Sequence, residues 1–116
     1  MRDKDRDKLR LVHIYEACDR IKSYFPLDNV PVLDKKSIEF FGLVKNLEII
    51  GEASYMLTKE FIDNHPETQW KEMIHMRHLM VHGYYHVSPE IVKDIVETEI
   101  AKLQSKIDIY LEEFSD

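Results

Sequence analysis

The sequence predicts an all-α fold, an up-down bundle of four to five helices, from three observations. Three glycines and four prolines in 116 residues leave little material for tight hairpins. Long stretches repeat apolar residues at intervals of three and four, the period of one helix face. Most of these stretches open on a capping residue or stop at a proline or glycine. The length suits a single domain, residues 1–116, with enough chain to close one core.

The first helix is expected from about Asp5 to Tyr24, where Leu11, Ile14, Tyr15, Cys18 and Ile21 form one apolar stripe that Phe25 continues. Phe25 to Pro31 reads as a connector, because each proline biases its predecessor away from helix. Asp34 is the expected N-cap of a second helix, about Lys35 to Thr58. That helix is apolar over much of its circumference (Phe40, Phe41, Leu43, Val44, Leu47, Ile50, Met56), which suits a central position or one shared with a partner chain. Glu60 to Asn64 is expected to add a short turn of helix, and a third main helix to begin near Pro66 and end or distort near Gly83. Ser88-Pro89-Glu90 starts the last helix with a serine cap and a proline at the first helical position. Val92, Val96, Ile100, Leu103, Ile107, Tyr110 and Phe114 then repeat at threes and fours.

Composition excludes several functions. Hydrophobic residues at 44% and charged residues at 33% describe an ordinary globular protein. The formal net charge of −6 argues against a broad basic surface for nucleic acid, so any RNA contact must be local, brief or built from two chains. The lone Cys18 cannot form an internal disulfide and sits at a core position of the first helix. The opening Met-Arg-Asp-Lys-Asp-Arg-Asp-Lys has no apolar region of the signal-peptide kind, and no apolar run reaches membrane-span length. No membrane role is expected, and a cytoplasmic location follows by default.

The octet Arg77-His78-Leu79-Met80-Val81-His82-Gly83-Tyr84 concentrates the chemistry. Arginine is a permanent cation that grips phosphate in a planar fork. Histidine gives or takes a proton near neutral pH. On an ideal wheel Trp70, Met73, Ile74, Met80, Val81 and Tyr84 share one apolar face, with Arg77 in its middle. An arginine facing a core must be paired or stand at a cleft, and Glu52 or Glu48 is the expected carboxylate partner. His82 lies about 140° from Arg77 on that wheel. Convergence of the two therefore needs a distorted helix end, a reaching arginine or a second chain. Taken alone, His82 reads as a cation at a helix C-terminus rather than a catalyst, and Tyr84 reads equally as a packed helix end.

Arg77, four residues, His82, one residue and Tyr84 match the R-x-x-x-x-H-x-Y motif, and the chain resembles the HepT-like HEPN toxins. Leu47 to Ala53 resembles the family's Gly-Glu-Ala element, Trp70 and Met76 its lead-in to the motif, and Ser88-Pro89 the start of its final helix. The resemblance spans residues 9 to 112. It implies metal-independent RNA cleavage, with the RNA's own 2′-hydroxyl as the attacking group and no cofactor. His82 is then the general acid/base and Arg77 the phosphate clamp. It further implies a homodimer that brings two motifs into one cleft, for which the second helix offers an apolar surface. Tyr84 is implied as the acceptor of AMP from a cognate nucleotidyltransferase antitoxin of the MntA type, with Tyr85 adjacent. Negative phosphate beside Arg77 and His82 would then block the RNA site. One departure is His78, where the family often carries a small polar residue. It could supply a second proton carrier or alter how substrate sits, and Glu52 could support Arg77.

Other readings compete. His75, His78, His82 and His86 share one sector of the wheel, and i, i+4 histidines can chelate a metal, but no third ligand from another element is evident. No metal site is expected. A non-catalytic bundle that binds nucleotide or substrate for a partner nucleotidyltransferase would use Arg77 and His82 on phosphate and Tyr84 on a base. A plain dimerisation module leaves Arg77 explained by an ion pair alone.

Overall fold

The computed structural model describes residues 2–82 and 86–114. Five helices follow in order, α1 (Asp3–Tyr24), α2 (Ile38–Tyr55), α3 (Lys59–Asn64), α4 (Trp70–His82) and α5 (Pro89–Glu112), with no strand among the described residues. The fold is the expected all-α bundle. α4 packs on α2, α2 on α1, and α1 on α5. The core draws Leu11, Ile14 and Ile21 from α1, Phe40, Leu47 and Ile50 from α2, and Val96, Ile100 and Ile107 from α5. Among the described residues no helix is long and apolar enough to cross a membrane.

Three expected boundaries are corrected. α2 begins at Ile38 rather than Lys35, because Ser37 and not Asp34 caps it: the Ser37 hydroxyl accepts from the Phe40 N–H at 3.1 Å. Asp34 instead binds the Lys36 N–H at 3.0 Å, closing a turn before the helix. α2 also stops at Tyr55, since Thr58 is the cap of α3. Thr58 is held in turn by the buried Asp7, whose carboxylate accepts from the Thr58 N–H at 2.8 Å and its hydroxyl at 2.6 Å. The short helix after α2 forms as expected, and α5 starts on Ser88 as read. α4 starts at Trp70, four residues beyond Pro66, because Trp70 Nε1 ties back to the His65 carbonyl at 2.9 Å and the intervening chain turns. The cysteine reading holds: Cys18 is fully buried, and burial pushes its thiol up to about 12.

The α3–α4 corner is built on an aromatic cluster of Phe61, His65, Trp70 and Tyr110. His65 Nδ1 stands 2.8 Å from the Phe61 carbonyl and Nε2 2.7 Å from the Glu113 carboxylate. Both partners accept, so these contacts favour the protonated imidazole, which donates from both ring nitrogens. Burial opposes that charge, but the Phe61 and Glu113 hydrogen bonds outweigh it and raise the His65 pKa above 6.5. The contribution of His65 is then complete below the unfolded value near 6.5 and lost as pH rises through the higher folded value. The urea midpoint is accordingly expected to fall as pH rises above about 6.5, and His65→Gln to remove most of that fall. An equal fall in both proteins would show that another group carries it.

Candidate functional site

The sequence Phe41, Lys45, Glu48, Glu52, Tyr55 alternates steps of four and three, so these side chains share one face of α2. The ridge runs between α1 and α4. Phe41 and Tyr55 stand 59% and 55% exposed on it. Arg77 meets this ridge from α4.

Arg77 is placed by two neighbours in sequence, Gly51 and Glu52. At Gly51 the two helices approach so closely that a Cβ there would stand 2.8 Å from both the Cα and the N of Arg77. Glycine is therefore required by contact with backbone, which cannot swing aside. That approach sets the root of the Arg77 side chain against α2. Arg77 Nε then donates to the Glu52 carboxylate, and the guanidinium carbon lies 4.8 Å from the centre of the Tyr55 ring. Of the two carboxylates expected from the sequence, Glu52 is the partner. Glu48 pairs with Lys45 at 3.3 Å instead.

The pair is only partly shielded, with Arg77 30% and Glu52 47% exposed at the side chain. It is worth little to stability in that setting, about 0–1 kcal/mol. Its consequence is geometric. Nε is engaged, and the two terminal nitrogens have no partner among the described residues. A guanidinium held through Nε keeps both terminal nitrogens available, an arrangement that can receive a phosphate.

The other motif residues are placed less completely. α4 carries His82 as its last residue, five beyond Arg77. The His82 side chain, Gly83, Tyr84 and Tyr85 lie outside the described residues. His78 is exposed next to Arg77 in sequence. The expected apolar face of α4 is confirmed at Trp70 and Met80, both buried, and at the half-buried Met73 and Ile74. It is corrected at Val81, which is 43% exposed because it edges a shallow pocket with Phe41 and Met80 rather than the core. Among the described residues no three His, Cys, Asp or Glu side chains stand together as a metal site. The sequence reading missed Tyr55 and the role of Gly51. The three-residue step from Glu52 to Tyr55 would have indicated the first, whereas the close approach at Gly51 depends on which helix lies opposite.

Alanine at Gly51 is expected to destabilise the fold. It gains up to about 1 kcal/mol in helix propensity, but forcing two helix backbones apart costs about 1–3 kcal/mol. It also moves Arg77 away from Glu52. Thermal melting of Gly51→Ala tests this, and an unchanged or raised midpoint would refute the close packing.

The model of the family described as "Ribonuclease HepT-like" matches residues 14–109. A protein of Caldanaerobacter subterraneus subsp. tengcongensis named "Putative RNase" is 35% identical over 103 residues, covering 84% of this chain and 87% of that one. "Probable ribonuclease HepT" of Thermococcus cleftensis is 37% identical over 75 residues, 65% of this chain and 66% of its own. A further "Putative RNase", from Methanocaldococcus jannaschii, is 29% identical over 93 residues, 80% of this chain and 84% of that protein. No solved structure matches the chain.

Proposed function

The chain belongs to the ribonuclease HepT-like family, and from that membership we propose that it is the toxin ribonuclease of a toxin–antitoxin pair. It cleaves RNA without a metal, and it is silenced by AMP placed on Tyr84. The observation that carries this reading is the Arg77 fork, held through Nε by Glu52 with its terminal nitrogens open.

In the proposed reaction the 2′-hydroxyl oxygen of a ribose bonds to the adjacent phosphorus. The bond from phosphorus to the 5′-oxygen breaks, leaving a 2′,3′-cyclic phosphate and a 5′-hydroxyl. His82 handles the protons, removing one from the attacking hydroxyl or supplying one to the leaving oxygen. Arg77 neutralises the charge that builds on the non-bridging oxygens. One motif supplies one such histidine, and the two proton transfers are best served by two. A homodimer across the α2–α4 face meets that need, and the exposed Phe41, Tyr55 and Val81 support it as the surface that associates. The AMP step joins the Tyr84 phenol oxygen to the α-phosphorus of a nucleoside triphosphate, with pyrophosphate leaving. A partner nucleotidyltransferase of the MntA type performs it. The added phosphate competes for the Arg77 fork.

The test is RNA cleavage by purified protein in excess EDTA, with Tyr84 shown to be unmodified by intact mass. Cleavage to cyclic-phosphate ends is expected, together with its loss once a co-expressed partner has added AMP to Tyr84. Absence of cleavage by unmodified protein would favour a nucleotide-binding subunit of a nucleotidyltransferase, because the same fork accepts a nucleotide phosphate. AMP recovered on Tyr85 would overturn the acceptor assignment.

A further inference from the structure

On the α1 side of the same ridge lies a pocket of about 130 Å³. Arg10 and His13 line it from α1, and Lys45, Glu48 and Glu52 from α2. Glu52 is thus a wall common to this pocket and to the Arg77 pair.

The charges in the pocket can be matched one by one. Glu48 is answered by Lys45 at 3.3 Å, and Glu52 by Arg77. Arg10 enters no ion pair among the described residues. Its Nε is moreover buried and without a hydrogen-bond partner. Buried unsatisfied donors are rare in folded proteins; this one is closed to outside ligands, so an anion would meet Arg10 at its terminal nitrogens, which are not among the buried unpartnered atoms. With both carboxylates neutralised locally, the uncompensated charge of the pocket is positive. In a chain of net charge −6, such a position beside Arg77 is where a polyanion gains a second hold.

We propose that Arg10 is a second phosphate-binding residue of the site, gripping a phosphate of the RNA strand that neighbours the one held by Arg77. The proposal rests on the ribonuclease reading. Arg10 from α1 and Arg77 from α4 then hold successive phosphates on either side of Glu52. His13 stands beside Arg10 in the pocket wall and adds a ring nitrogen to the same phosphate.

Cleavage of a single-stranded RNA oligonucleotide is measured across a salt series for the unaltered protein, Arg10→Gln and Arg10→Lys. Binding of the DNA strand of the same sequence, which lacks the 2′-hydroxyl and cannot be cleaved, is measured in parallel. Arg10→Gln is expected to raise KM and the DNA Kd by about 5–20-fold at low salt, and to flatten the log–log salt slope by about 0.7, the value for one phosphate contact on a single strand. The loss falls on KM rather than kcat. Arg10→Lys keeps the charge but not the fork, so it retains the slope and recovers part of the affinity. If Arg10→Gln keeps the original KM and slope, the proposal is wrong. It is equally wrong if both variants lose kcat alike with the slope unchanged, the signature of a merely structural arginine. Failure of the unaltered protein to cleave RNA would overturn the ribonuclease reading and this proposal together, whereas cleavage with an Arg10-independent slope would overturn this proposal alone.

Discussion

Alanine in place of His82 is expected to lower RNA cleavage by about 100- to 10,000-fold, the range for removing a general acid or base. Alanine in place of Arg77 is expected to cost about 100- to 1000-fold, the range for removing one charge-stabilising donor from a transition state. Neither change should unfold the protein. His82 closes α4 rather than filling its middle, and the Arg77–Glu52 pair is too exposed to carry much stability. Combining the two is expected to cost scarcely more than the worse single change, because both act on one step. Single-turnover cleavage, with urea unfolding alongside, checks all three variants. If the site takes residues from two chains, mixing His82→Ala with Arg77→Ala protein should restore some cleavage, since a mixed dimer can assemble one intact set. Undiminished cleavage by a folded His82→Ala protein would remove His82 from the mechanism.

Much of this site could be read from the sequence, because helical periodicity is a local property. Arg77 in the middle of an apolar face announced a paired or functional cation before any fold was known. The structure supplies the pair and chooses Glu52 over Glu48. That choice needed tertiary geometry, since the two carboxylates are one turn apart on α2 and only the packing of α4 decides between them. The glycine before Glu52 was legible only as part of a motif. Its physical reason is the Arg77 backbone opposite, which no periodicity encodes. The start of α2 went astray at Asp34 for a different reason. Aspartate caps turns and helices through the same side-chain chemistry, and a serine three residues later made the stronger cap. Arg10 and Asp7 were invisible for the same reason as the Arg77 partner. Asp7 meets Thr58 across 51 positions of sequence, and Arg10 lines its pocket with residues from another helix.

Glu52 separates a positioning role from a structural one. Its carboxylate holds Arg77 by Nε and so leaves the terminal nitrogens unengaged, with Tyr55 flanking the guanidinium. Glu52→Ala releases the arginine, and a misplacement of about 1 Å can cost on the order of 100-fold in rate. The same change deletes a negative charge beside the phosphate site, which favours RNA binding. The two effects act on different constants, so kcat is expected to fall by about 10- to 100-fold while KM stays level or drops. Stability changes by no more than about 1 kcal/mol. Glu52→Gln is the discriminating variant: its amide oxygen still accepts from Nε, so most of kcat should return although the charge is gone. A carboxylate that mattered only for folding would show the reverse pattern, with both variants less stable and kcat intact in whatever remains folded. One that acted by charge alone would leave Glu52→Gln as slow as Glu52→Ala. Recovery with glutamine and not with alanine would therefore locate the function of Glu52 in the direction in which it points Arg77.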